Sequence, residues 1–131
     1  MSLDRISVHL RPEPYGIGRG AAPPSGASPS GLRATITCDG MPSFVAPWEE
    51  ARSSGALGPY RCLSVRGPLP MDAVGILAAL LEPLAHARIP VFVLSDRDTD
   101  HVLVPADRAA AARVALEGAG IVVDGPRVAP R

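Results

Sequence analysis

The stretch SDRDTDHVLV, residues 95–104, gathers polar chemistry into an otherwise apolar region. Asp96, Asp98 and Asp100 stand at alternate positions, and His101 follows directly. Four chemistries fit such a pattern: a calcium loop, an acid/base cluster, a polar turn, or one wall of a ligand pocket. A calcium loop wants Gly at its sixth position and a bidentate Glu at its twelfth, where this chain has His101 and Asp107. Strand-like flanks also stand where such a loop has helices. Catalysis would need a third group to pair with Asp100 and His101, and the sequence offers none in sight. No catalytic residue and no metal ligand is therefore assigned. The remaining reading is mixed. Ser95–Asp98 form a hairpin turn, to which Asp is well suited, and Asp100, at the start of the next strand, is the candidate ligand contact.

A second group of residues could serve the same ligand. Gly75 falls in the first turn of an apolar helix, where a side chain would normally pack. A missing Cβ lets a ligand approach, and the free N–H groups of a helix start attract a carboxylate. Asp100 would then accept the ammonium of the same amino acid. The alternative is that Gly75 only relieves crowding between helix and sheet, and residue physics leaves both open. GIGRG, residues 16–20, has the look of a phosphate loop, but no strand–loop–helix unit surrounds it and no Lys-Ser/Thr follows.

The elements that must position these residues are clearest in the second half. YRCLSVRG, residues 60–67, alternates as a strand does. From Met71 to Arg88 an apolar stripe at Val74, Leu77, Leu81 and Leu84 predicts a helix, with Asp72 near its start and a bend or early end at Pro83. IPVFVLS (89–95) and HVLV (101–104) predict strands. ADRAAAARVALEGAG (106–120) predicts a helix ending at glycines, and IVVD closes with a strand. Residues 60–124 thus read β-α-β-β-α-β, an α+β ferredoxin-like antiparallel sheet with helices on one face. In the first half, ISVHL (6–10) predicts a short strand and residues 32–47 a hairpin about Asp39-Gly40. Residues 11–31, dense in Pro, Gly and Ser, predict a long surface loop, mobile over 17–31.

The 131 residues allow one domain or two very small ones, and 47% apolar with 20% charged residues suits a globular protein. Thirteen basic and thirteen acidic residues cancel, which argues against nucleic acid as a partner. Every cation is Arg, and Lys, Asn and Gln are absent, so Arg is the default cation and marks no site by itself. Cys38 and Cys62 read as buried thiols in strand runs. No apolar run approaches the roughly 20 residues that cross a membrane, and no signal peptide is evident, so the expected location is the cytoplasm.

YRCLSVRGPLPMDAVGILAALLEPLAHARI and PVFVLSDRDTDHVLVPADRAAAARVALEGAG resemble the ACT domain, and more closely the tandem ACT-like proteins related to the arginine-sensing family of animals. The resemblance implies a shorter ACT-like N-terminal half over 1–59 with the 11–31 loop, an ACT domain over 60–124 and a tail at 125–131. It implies a non-enzymatic regulatory protein without cofactors that binds a small molecule, usually an amino acid, and often forms a homodimer. By position it implies ligand contacts at Met71, Asp72, Val74, Gly75 and Ile76, with Thr99 and Asp100 facing them. Asp96 and His101 stand where the family usually has a small or hydroxyl residue and an aromatic. The alternative function is a structural or protein-interaction module with no surviving pocket.

Overall fold

The computed structural model describes residues 6–24 and 31–127. The elements are β1 (Ser7–Arg19), β2 (Ala34–Cys38), β3 (Met41–Pro47), α1 (Trp48–Ala51), β4 (Leu57–Val65), α2 (Ile76–His86), β5 (Phe92–Ser95), β6 (Asp100–Pro105), α3 (Ala109–Gly118) and β7 (Val122–Asp124). They divide into two compact units. One holds residues 6–12 with 61–127, the other residues 13–60. Residues 6–12, grouped with the N-terminal half in the sequence reading, therefore pack with the second half of the chain.

The larger unit has the α+β ACT-like fold, with one feature beyond β-α-β-β-α-β. Its strand order is β7-β1-β4-β6-β5, so the start of β1 lies between β7 and β4. It pairs with β7 in parallel, Ser7 opposite Val122 and His9 opposite Asp124. β5 and β6 form the antiparallel hairpin that the sequence predicts, from Phe92↔Leu103 to Ser95↔Asp100. The insertion follows from residue alternation. Ile6, Val8 and Leu10 are all buried, which gives this strand an apolar face of its own.

That face joins Leu63, Val65, Val102, Val104 and Val123 from the other strands. Ile76, Leu80 and Leu84 from α2 and Ala109, Ala112 and Leu116 from α3 complete the core. α2 buries one residue per turn, and the alanines of α3 take little core volume. Both helices end in the same way. Arg88 and Gly120 adopt positive φ, and the next residue's N–H, on Ile89 and Ile121, donates to the carbonyls of Leu84 and Leu116 at 3.0 Å. The helix predicted from Met71 begins only at Ile76, and Pro83 lies inside it. Gly75, at φ +90°, separates the preceding turn from the helix.

On the outer side of β1, Asp124 forms a charged clip. It accepts from Arg66 Nε and Nη2 at 2.9 and 2.6 Å, and lies 2.6 Å from His9 Nδ1. Arg66, then His9, hold the Asp124 carboxyl down to about 2 from the usual 3.8.

The smaller unit corrects the reading of residues 11–31. Arg11–Arg19 is not loop but the continuation of β1. Its register with β3 runs from Tyr15↔Pro47 to Arg19↔Ser43, whereas that with β7 ends at His9. Pro12 and Pro14 fall between these two ladders, where a missing N–H costs least. Gly16 and Gly18 are there for space. A Cβ on Gly16 would lie 2.7 Å from Ala51 Cβ and 3.0 Å from the Trp48 ring, and one on Gly18 would lie 2.4 Å from Phe44. Of the stretch expected to be mobile, residues 17–19 are strand, and residues 25–30 lie outside the described residues. The β2–β3 hairpin forms as predicted, with Cys38 opposite Met41 and positive φ at Asp39 and Gly40. Cys62 is buried, but Cys38 is exposed. The side chains of Thr35–Cys38 lie open to solvent along β2.

Two outcomes follow. Gly18→Val, forced against the Phe44 ring, should destabilise the smaller unit by about 1–3 kcal/mol in urea denaturation. The Asp124 clip contributes stability that is complete above pH ~4 and is lost as pH falls through about 2, because its folded carboxyl titrates below its unfolded one. Asp124→Asn should flatten the decline in thermal stability between those pH values, and a decline as steep as wild type would show that the clip adds nothing.

Candidate functional site

Two loops of the larger unit come together beside the start of α2. One is residues 66–75, between β4 and α2, and the other is residues 96–99, between β5 and β6. Leu69 N–H donates to the Asp98 carbonyl at 2.6 Å, and Thr99 Oγ1 donates to the Val65 carbonyl at 2.6 Å. Gly67 lets them approach, since a Cβ there would lie 3.0 Å from Asp98 O. Between the loops and the helix start lies a cavity of about 290 Å³. Leu69, Pro70, Met71, Ile76 and Leu77 supply apolar walls, and Ser95, Asp96, Arg97, Thr99 and Asp100 line the polar side.

Five of the seven predicted contacts border this cavity: Met71, Gly75, Ile76, Thr99 and Asp100. Asp72 and Val74 do not. Both are exposed, Val74 at 84%. The reason is the late helix start, which leaves 72–74 in an irregular turn instead of on a packed helical face.

Gly75 is the N-cap of α2 and brings no side-chain oxygen to it. The first intrahelical bond runs from Ala79 N–H to the Gly75 carbonyl. The N–H groups of Ile76, Leu77 and Ala78 thus have no acceptor within the helix, and all three residues line the cavity. This end carries the positive pole of the helix. On the polar side, Asp100 Oδ1 accepts from Ser95 Oγ at 2.5 Å, which among the described residues is the hydrogen bond on that carboxylate.

Asp96 has a different role from Asp100. Its Oδ1 accepts the N–H groups of Asp98 and Thr99 at 2.7 and 3.0 Å, and its Oδ2 lies 2.7 Å from His101 Nε2. The His101 hydrogen bond, then these backbone N–H groups, hold the Asp96 carboxyl below the usual carboxylate range. Its charge is absorbed in shaping the turn. The Asp98 side chain is exposed beside Arg97, 3.6 Å away. His101 is buried, 4% exposed, and its Nδ1 lies 2.7 Å from Ser64 Oγ. The partners of His101 are thus Asp96 and Ser64, not Asp100. Ser64 stands 37 residues earlier on β4, and the strand alternation of LSV is the one sequence signal that aims it away from the core. Among the described residues no three His, Cys, Asp or Glu side chains group as a metal would require.

Residues 58–118 match the family model of the ACT domain. No functionally curated protein matches the sequence. A solved protein from Agrobacterium tumefaciens is 26% identical, with a TM-score of 0.78 over 95% of this chain and 96% of that one. A Vibrio cholerae protein of unknown function, described as a possible transport protein, is 22% identical, with a TM-score of 0.69 over 90% and 92%. The regulatory subunit of aspartate kinase from Thermus flavus is 14% identical, with a TM-score of 0.59 over 86% and 95%. The last two share the fold. A relationship to the arginine-sensing proteins of animals does not emerge. Among the described residues no helix is long and apolar enough to cross a membrane.

Thr99→Val keeps the side-chain shape but removes the bond to Val65 O. It should cost about 0.5–1.5 kcal/mol in urea denaturation, and an unchanged midpoint would mean that the two loops are held without it.

Proposed function

We propose that the cavity binds a free α-amino acid and that the protein is a non-enzymatic regulatory ligand sensor. The observation that carries this reading is the pairing of opposite electrostatic ends on one small cavity. The uncapped N–H groups of Ile76, Leu77 and Ala78 suit a carboxylate, and Asp100 suits an ammonium. An α-amino acid carries those two charges on adjacent atoms. The apolar walls at Leu69, Met71, Ile76 and Leu77 would take its side chain. A cavity of this size admits a single small metabolite. The match of residues 58–118 to the ACT domain, and the likeness in fold to aspartate kinase regulatory subunits, support a regulatory role.

The same reading takes the protein to act in the cytoplasm as a homodimer. The larger unit ends its strand order at β5, whose outer edge carries no partner strand among the described residues and is available to a second copy. Light scattering of a concentrated sample should give twice the chain mass.

A thermal-shift screen of the twenty amino acids tests the ligand, followed by titration calorimetry of any that raise the melting temperature. Asp100→Ala removes a charge-assisted hydrogen bond and should weaken binding by roughly 1.5–3 kcal/mol, about ten- to a hundredfold. Asp98→Ala, on an exposed side chain, should leave affinity within about twofold. Equal losses at both positions would reduce the effect to general electrostatics, and no loss at Asp100 would move the site elsewhere.

A further inference from the structure

The larger unit contains a polar chain, buried at Ser64 and His101, that the ligand reading does not use. Arg11 Nε donates to Ser64 Oγ at 2.8 Å. Ser64 Oγ lies 2.7 Å from His101 Nδ1, and His101 Nε2 lies 2.7 Å from Asp96 Oδ2. Ser64 and His101 are 5% and 4% exposed, and Asp96 reaches the cavity wall. Leu63 and Val65 point into the helix-covered core, so Ser64, between them, lies on the opposite sheet face.

The donors and acceptors of this chain can be satisfied in one direction. A guanidinium can only donate and an ionised carboxylate can only accept. Arg11 therefore occupies one lone pair of Ser64, which leaves the hydroxyl proton for His101 Nδ1. With the ring uncharged, its single N–H is then on Nε2 and points at Asp96. Every member is then paired, and for an uncharged ring the two charged ends fix the sense of the chain. Ser, His and Asp in sequence could suggest a nucleophile. Ser64 is buried, however, and its oxygen already accepts from Arg11, so no substrate carbonyl can reach it.

We propose that Ser64 and His101 are positioning residues for the pocket, forming a one-way hydrogen-bond wire that locks the Asp96 carboxylate and through it the 95–100 turn. Asp96 is the pivot. One oxygen takes the wire, and the other takes the N–H groups of Asp98 and Thr99. Those residues lead directly into Asp100, and Asp98 and Thr99 also hold Leu69 of the opposite loop and Val65 at the end of β4. A sub-ångström displacement of Asp96 therefore reaches both walls of the cavity. The consequence for affinity rests on the amino-acid reading, but the wire itself does not.

Two ligand-free measurements decide it. In ¹⁵N spectra of the wild-type imidazoles, the resonance lost in His101→Phe identifies His101, and it should report the Nε2–H tautomer. Asp96→Asn should switch that tautomer. The Asn carbonyl keeps the turn N–H groups, its NH₂ donates to Nε2, and the ring proton moves to Nδ1, facing Ser64 Oγ. Ser64 can then turn its proton to Cys62 Sγ, 3.6 Å away. A merely space-filling histidine would not switch. His101→Phe should also raise amide exchange of Asp98 and Thr99 about tenfold relative to Val102 and Leu103 on β6. Should His101→Phe fail to fold, Ser64→Ala breaks the wire while keeping the ring and should raise exchange at the same two amides. An Nδ1–H tautomer in wild type, no switch in Asp96→Asn, or unchanged exchange in a folded variant would each overturn the proposal. For any amino acid that the thermal-shift screen finds, His101→Phe should weaken binding about tenfold, and unchanged affinity would refute the link to the pocket. If none of the twenty binds, the ligand reading falls, while tautomer and exchange still decide the wire.

Discussion

The larger unit depends on three backbone pairs, Ser7–Val122, Val8–Val123 and His9–Asp124. A parallel ladder between residues so far apart in the chain has a large closure entropy to overcome. The side chains around it provide the compensation. Val8 and Val123 are buried in the common core, and the opposite face carries the Arg66–Asp124–His9 clip. By lying between β7 and β4, the start of β1 joins β7 to the other strands of the larger unit in one hydrogen-bonded order. It also brings Arg11 to Ser64, so the strand that closes the sheet begins the polar wire that ends at the cavity.

How much of this was legible depended on the range of the interaction responsible. The helix and strand order of residues 60–124 could be read because burial periodicity is local and repeats within each element. The Asp39-Gly40 hairpin could be read because two positive φ values favour those residue types. The strand from Arg11 to Arg19 could not. Pro and Gly are local warnings against strand, and what overrides them is the Phe44 and Trp48 rings, which need glycine beneath them. Nor does any pattern within IVVD say that its neighbour is the start of the chain.

The site divides along the same line. Gly75 and Asp100 stood out from their types and places, and both border the cavity. Asp72 and Val74 enter only through the resemblance, by position, and the apolar spacing at Val74 hides that the backbone there is not yet helical. The turn role of Asp96 is legible from its type and place, but its bond to His101 is not. What defines them is Ser64, which is unremarkable in LSV until the sheet places β4 beside β6. Polar networks of this kind are assembled by topology, and single-residue signals anticipate them poorly.

The alternate glycines of β1 have a consequence for how this sequence can vary. Gly18 and Phe44 fill one volume between them, as do Gly16 and the Trp48–Ala51 pair. Neither member can change alone. A larger residue at position 18 becomes tolerable when position 44 shrinks, and position 18 is placed to refill the void that loss of Phe44 leaves. The two pairs therefore form units of inheritance, and among relatives of this chain substitutions within each should travel together while the intervening Ile17 drifts independently.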